Sequence, residues 1–420
     1  MAQRRALLIG SIPGDNAEQA MSTALRELGP HLAYLPDGET GDRDTWVVGA
    51  IKSLRDHPGL EVKNEGDWSS YENQLNFRVK KGHTLTGDEL DLGLARAFRE
   101  SYPVFQRLRE ESDHAELTFQ VGIPGDFDMA LFTLGPLQAF TKRAPFTEAT
   151  ARDLTAIHGE AGDGALFQIE VPAEQVFVAK MPPPLRGLMA SMMASRVVEL
   201  AKRAPEGARF GVHLCLGDLG HKALGKLADA GPLTALANAV IAKWPAGRRL
   251  EYLHAPLAEG EEPPVVDERF YRPLSRLRLP ADTRFVAGFV HENCTLEDAR
   301  KILGWVETHV GRTVDVAASC GLGRRGAEAA ETVMRQAAAL CAEEEKPAEK
   351  PEDKAAEATE EPAENNAAEA AEAVAEEPAD DAAEAAAEEP SVTDAEEAAD
   401  AKGEEKVDAK GDGEDKVATE

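Results

Sequence analysis

Eight short apolar runs, at 6–10, 32–35, 117–121, 166–170, 210–214, 250–253, 285–290 and 314–317, set the strongest limit on how this chain can fold. Each has the length of a buried strand and falls well short of the ~20 apolar residues of a membrane span. Amphipathic stretches lie between them. Helices are predicted at 16–28 closed by Gly29, at 185–203, at 233–243, at 295–310 closed by Gly311, and at 326–342. Thr295 with Asp298 three residues on reads as a variant capping box. Strands alternating with helices imply a parallel α/β sheet, and eight of them favour a closed (β/α)8 TIM-like barrel over an open doubly wound sheet. The turn after the first run, Gly10-Ser-Ile-Pro-Gly, lacks the glycine spacing of a dinucleotide-binding loop.

Charge divides the chain in two. From Glu343 to Glu420 there are 30 acidic and 7 basic residues, −23 of the chain's −30, so residues 1–342 carry −7. A segment of Ala, Glu, Pro and Lys cannot bury enough apolar surface to offset ordering entropy, so 343–420 is expected to be a disordered acidic tail and 1–342 one barrel domain. Such acidity argues against nucleic-acid binding. Cys215, Cys294, Cys320 and Cys341 are too few and too scattered for a disulfide framework. With no signal-peptide pattern at the N-terminus, a cytoplasmic protein with no membrane partner is expected. Two insertions interrupt the repeat. Residues 37–116 follow the second strand and carry Trp68, Tyr71 and Phe77, a candidate lid; 255–280 is acidic and Pro-rich.

The polar residues of chemical interest fall mainly at the C-terminal ends of predicted strands, where a barrel builds its active site. His213 and Cys215 are two apart in an extended run and so face one side. A small buried cysteine beside a hydrogen-bonded histidine accounts for that pair taken alone. Cys320, ending the last run in Ser-Cys-Gly, adds a second thiolate, and imidazole with thiolates is the donor set of zinc. For a fourth ligand, Glu251 is expected, a carboxylate flanked by Leu250 and Tyr252 inside a strand, with Cys294 as the rival. Ser11, Glu39, Glu170 and His291 close other strands. The histidines His254 and His291 also admit a plain reading as capped or solvated side chains.

These residues carry a resemblance. His213-Leu-Cys215, Glu251 and Cys320-Gly-Leu-Gly-Arg-Arg resemble the zinc site in the C-terminal catalytic barrel of cobalamin-independent methionine synthase. Gly10-Ser-Ile-Pro-Gly, Gly38-Glu39 and Gln168-Ile-Glu-Val-Pro-Ala are similar to further segments of that family, which belongs with the uroporphyrinogen decarboxylase-like barrels. The resemblance implies bound Zn2+, methyl or alkyl transfer to a thiol, and Ser11, Glu39 and Glu170 around the amino-acid part of a small-molecule thiol. The alkyl donor would be a methyl-folate or methyl-corrinoid. Three features depart from the family pattern. Glu170-Val171 stands where the family has Asp-Glu, and His291-Glu-Asn-Cys294 where it has Asp-x-His-Ser, leaving His291 as the nearest catalytic proton donor. The family's large N-terminal half is missing, as in its core-only members. The same barrels imply a second reading, a transferase or lyase of the epoxyalkane:coenzyme M type; a third is a non-catalytic binding module.

Overall fold

The computed structural model describes residues 3–43, 45–112 and 114–343; the acidic segment, apart from Glu343, lies outside the described residues. Ten strands follow in chain order: β1 (Ala6–Leu7), β2 (Tyr34–Pro36), β3 (Leu60–Asn64), β4 (Asn76–Val79), β5 (Thr118–Pro124), β6 (Ala165–Glu170), β7 (Arg209–His213), β8 (Arg249–Pro256), β9 (Arg284–Gly288) and β10 (Asp315–Ala317). The helices are α1 (Ala17–Leu28), α2 (Trp46–Ser53), α3 (Leu94–Glu111), α4 (Asp126–Leu134), α5 (Pro136–Thr141) and α6 (Ala144–Ala161). They continue as α7 (Pro172–Lys180), α8 (Pro183–Arg203), α9 (Gly231–Lys243), α10 (Glu268–Tyr271), α11 (Leu296–Val310) and α12 (Ala327–Ala342).

Eight strands form one parallel sheet in the order β1-β10-β9-β8-β7-β6-β5-β2, and a bridge from Ala6 to Leu32, just ahead of β2, closes the ring. The chain is therefore a (β/α)8 barrel, and each of the eight apolar runs supplies one staple of it. The five predicted helices form as α1, α8, α9, α11 and α12. Asn16 caps α1 by accepting from Gln19 N–H, and Thr295 caps α11 by accepting from Asp298 N–H. Of the remaining helices, α3 carries a clear apolar stripe interrupted by Pro103, and the others are short or carry buried polar residues.

β1 is short, and its last carbonyls have no strand partner. Two buried glutamines supply the missing donors. Gln120 Nε2 donates to the Leu8 and Ile9 carbonyls at 2.8 and 2.9 Å, and Gln168 Nε2 donates to the Ile9 carbonyl at 2.5 Å. Tyr252 completes the layer with its hydroxyl 2.9 Å from Gln168 Oε1. Gly211 makes room for this ring, since a Cβ there would lie 2.0 Å from it. These side chains form the floor on which the C-terminal mouth of the barrel rests.

Between β2 and β5 the insertion adds α2, the antiparallel hairpin β3–β4 and α3. Phe77 and Trp68 tie it down: both are buried, and Trp68 packs edge-on against Phe132 of α4 at 5.6 Å. Among the described residues no helix is long and apolar enough to cross a membrane.

A buried pair of carboxyls joins α4 to α7. Asp128 Oδ1 accepts from Ala173 N–H at 2.7 Å at the start of α7, and Glu174 of the same turn is fully buried beside it. Burial, then each other's charge, holds Asp128 well above the ordinary carboxylate range, and burial pushes Glu174 up to about 7. Asp126, Arg143 and Arg196 complete the charged surroundings. A carboxyl that is harder to ionise folded than unfolded adds stability at low pH, and that stability is lost as pH rises through its folded value. Thermal melts of Glu174→Gln should therefore match wild type near pH 5 and exceed it near pH 8.5; equal melting points at both pH values would show that the pair carries no such linkage.

Candidate metal centre

Register brings the site together. Glu170 at the end of β6 pairs with His213 at the end of β7, and His213 pairs with His254 of β8. Cys215 stands just beyond β7, and Cys320 just beyond β10. The ligand atoms of His213, Cys215 and Cys320 all lie within 4.8 Å of one another. Among the described residues no other group of three such side chains comes this close.

The two sulfurs are 3.8 Å apart. Sulfurs at ~2.3 Å from one tetrahedral zinc ion stand about 3.8 Å from each other, whereas a disulfide needs about 2.05 Å. The spacing suits two ligands of one cation and equally an S–H···S hydrogen bond. The Gly217 N–H donates to Cys215 Sγ at 3.2 Å, which favours thiolate. Hydrogen bonding with Cys320, followed by burial, nevertheless raises the Cys215 thiol well above its ordinary range, so without a cation beside it this sulfur keeps its proton.

A histidine chain sets the proton positions. The Ala318 carbonyl can only accept, so the 3.0 Å contact from His254 Nε2 places a proton on that nitrogen. Burial holds His254 down to about 3, so its ring is neutral and Nδ1 bears a lone pair. His213 Nδ1, 2.7 Å away, must then be the donor. Burial, then His254, keeps His213 neutral as well, which leaves its Nε2 with a free lone pair. That nitrogen is buried and has no hydrogen-bond partner. It is the ligand atom a metal needs, and the carbonyl–imidazole–imidazole relay is the outer support that fixes such ligands.

Glu251 does not join this group. It is the extra residue of a bulge: β7 Phe210 and Gly211 face Leu250 and Tyr252, so Glu251 is skipped. Its carboxylate accepts from Arg209 Nε at 2.5 Å and from the Tyr34 hydroxyl at 2.5 Å, near the N-terminal end of the barrel. The charge that seemed to call for a metal is met by an arginine instead. Cys294 is also apart, buried in the main core with its Sγ 3.5 Å from the Thr295 carbonyl. The structure thus brings together three candidate ligands, His213, Cys215 and Cys320.

A cavity of about 130 Å³ opens beside the two sulfurs, lined among others by Ser11, Glu39, Glu170, Asp218 and Arg324. The loop after β10 wraps around Ser11, whose Oγ accepts from Gly323 N–H at 3.2 Å; a Cβ on Gly321 would sit 2.2 Å from that Oγ. Glu39 has φ +48°, a strained setting held by Asp37, whose carboxylate accepts from the Glu39 N–H at 3.0 Å and from Ser101 at 2.7 Å. Gly122 lets Glu39 and Glu170 converge: both carboxylates would come within 3.2 Å of a Cβ there. Burial pushes both up to about 8; the Glu170 charge then adds to the rise at Glu39, and Cys320 to that at Glu170. The insertion furnishes the apolar wall through Val47, Val48, Trp68 and Tyr71, and Tyr71 accepts from Leu219 N–H at 3.1 Å.

His291 does not line this cavity. Its Nε2 is 3.0 Å from the Gly260 carbonyl and its Nδ1 accepts from Asn293 N–H at 3.0 Å, so both nitrogens hold loops in place. His254 and Asp218 are the members that sequence reasoning missed. His254 ends an apolar run as His213 does, and that shared position was the available signal.

No protein-family model matches the chain, and no curated protein does. Solved structures do. A B12-independent methionine synthase from Shewanella sp. W3-18-1, in complex with selenomethionine, is 12% identical with TM-score 0.51, over 81% of this chain and 98% of that one. A putative vitamin-B12-independent methionine synthase from Listeria monocytogenes is 11% identical with TM-score 0.43, over 81% and 99%. A methyltransferase from Methanosarcina mazei is 15% identical with TM-score 0.41, over 81% and 94%. The chain shares the barrel fold of the Shewanella enzyme.

Two substitutions separate the support of the centre from the strut below it. His254→Ala should weaken zinc binding about 10–100-fold in a chelator competition, because His213 loses the acceptor that fixes its tautomer. Glu251→Ala should leave zinc affinity unchanged while costing about 3 kcal/mol in denaturant unfolding, because Arg209 loses its buried partner. Zinc loss in the second variant would return Glu251 to the ligand set.

Proposed function

We propose that this chain is a zinc-dependent transferase that moves an alkyl group, most simply methyl, onto the sulfur of a small thiol. The observation that carries the reading is the lone pair of His213 Nε2, buried and unpartnered, facing two sulfurs set 3.8 Å apart. His213, Cys215 and Cys320 would hold the ion. Zinc, when bound, lowers the pKa of a coordinating thiol enough to make it nucleophilic at neutral pH. Three protein ligands would leave a coordination position for that thiol.

The cavity supplies the rest. Glu39 and Glu170 are two carboxyls crowded into a buried wall, and an ammonium group set between them would relieve the cost of ionising both. Ser11, with the turn around it, offers a polar contact to the substrate's carboxylate end, beside the Arg324 guanidinium. An amino-acid thiol suits these groups better than a thiol sulfonate, which brings no cation for the paired carboxyls. Val47, Val48, Trp68 and Phe132 form an apolar wall for the alkyl donor, which is thereby shielded from water.

Metal analysis tests the first part. Purified protein should hold close to one zinc per chain, and Cys215→Ser should lose it; a zinc-free wild type that cannot be reconstituted would sink the reading. A thiol panel tests the second. L-homocysteine should be alkylated from a methyl-folate or methyl-corrinoid donor in preference to 2-mercaptoethanesulfonate, and binding should tighten from pH 6 to pH 8.5 as Glu39 and Glu170 ionise. Glu39→Gln should lessen that pH dependence, leaving the part due to Glu170.

A further inference from the structure

Asp218 follows the Cys215 turn and lines the cavity. Its side chain is 2% exposed, yet neither carboxylate oxygen has a hydrogen-bond partner. Arg324 Nη1 is 3.5 Å from Oδ2 and His221 Nδ1 3.7 Å from Oδ1, charges near enough to steady an anion but beyond good hydrogen bonds. Gly260 presses on the same carboxylate, since a Cβ there would lie 2.4 Å from Oδ1. An orphaned buried carboxylate costs free energy unless something that binds there uses it. His221 itself sits at φ +65°, so the loop holding this carboxylate is strained.

We propose that Asp218 is the proton shuttle of this site: it takes the proton of the incoming thiol and returns it to the leaving group of the alkyl donor. The proposal rests on the thiol-transfer reading above. The thiol S–H bond breaks and its proton passes to an Asp218 oxygen, leaving the electron pair on sulfur. That pair forms the new S–C bond. The C–N bond of an N-alkyl donor breaks, its electron pair stays on nitrogen, and nitrogen takes the proton from Asp218. No oxidant or reductant is needed, and the carboxylate is restored.

Geometry selects Asp218 over its neighbours. His291 has both nitrogens engaged away from the cavity, and Glu39 and Glu170 face each other across Gly122. The charged groups around Asp218 are Arg324 and Arg325 after β10, Glu292 and His291 after β9, Glu261 after β8, and His221 and Tyr71. Burial raises its carboxyl, with Arg324 and Arg325 opposing, to about 6, a value suited to giving and taking a proton near neutrality.

The test counts protons. Zinc-loaded wild type and Asp218→Asn are titrated calorimetrically with L-homocysteine at pH 7 in two buffers of different ionisation enthalpy. Protons released by Glu39 and Glu170 on binding leave both proteins alike, so wild type should release clearly fewer protons per thiol bound than Asp218→Asn, by up to one. Retention by wild type should fade below about pH 6, where Asp218 is already protonated, and turnover of Asp218→Asn should fall about 10²–10⁴-fold. Asp218→Glu, with zinc content checked in each protein, should regain part of the retention. Equal proton release by wild type and Asp218→Asn overturns the shuttle while leaving thiol transfer standing. If Asp218→Asn fails to fold or load zinc, wild type releasing a full proton more with L-homocysteine than with the thiol-free L-2-aminobutyrate, or a retention that does not change across pH 6, overturns it. Failure of zinc-loaded wild type to bind any thiol overturns the transfer reading and the shuttle together.

Discussion

The row Glu170–His213–His254, set by the parallel register of three adjacent strands, is the constraint on which the site depends. It exists because one residue of β8 is skipped. The bulge at Glu251 advances β8 by one position, so that His254 rather than Leu253 stands level with His213. Gly211, lacking a side chain, admits the Tyr252 ring at that step. From this follow the tautomer of His213, the free Nε2 and the orientation of that lone pair toward the sulfurs.

The same bulge separates two jobs. Above it, two neutral imidazoles and two sulfurs form a cluster in which the His213 Nε2 lone pair has no partner. Below it, Glu251, Arg209 and Tyr34 form a closed ion pair that is complete without one. Between them, Gln120, Gln168 and Tyr252 satisfy the carbonyls that a two-residue first strand leaves open. Unpartnered polar atoms at the mouth include His213 Nε2 and both Asp218 carboxylate oxygens. Strained backbone is placed in the same region, at Glu39 and Trp68 in the cavity wall and at His221 beside Asp218.

Parts of this were legible along the chain. Apolar runs with β-branched and aromatic residues gave the eight strands, and the i, i+2 spacing of His213 and Cys215 gave a shared face. Cys320 and the carboxylates at strand ends gave a common rim. Glu251 misled because a buried charge asks for a partner without naming it, and Arg209, 42 positions away, answered as well as a metal would. His291 misled because a strand-end histidine looks the same whether its nitrogens face a cavity or tie loops. α4 and α6 escaped because buried Asp126 and Asp128, and buried threonines, blur their apolar stripes, whereas α3 keeps a clear stripe of Leu94, Phe98, Phe105 and Leu108 and is disguised only by Pro103 within it.

By itself, the sequence determined what depends on local order: the alternation of strand and helix, the caps at Asn16 and Thr295, and which residue types stand at strand ends. The tertiary structure decided which of those residues meet. Closure of the ring brings Cys320 back beside Cys215, the bulge chooses His254 as the partner of His213, and the turn after Cys215 buries Asp218 without a partner. Each of these is a relation between distant segments, fixed by strand register and close packing, and no local pattern along one chain encodes it.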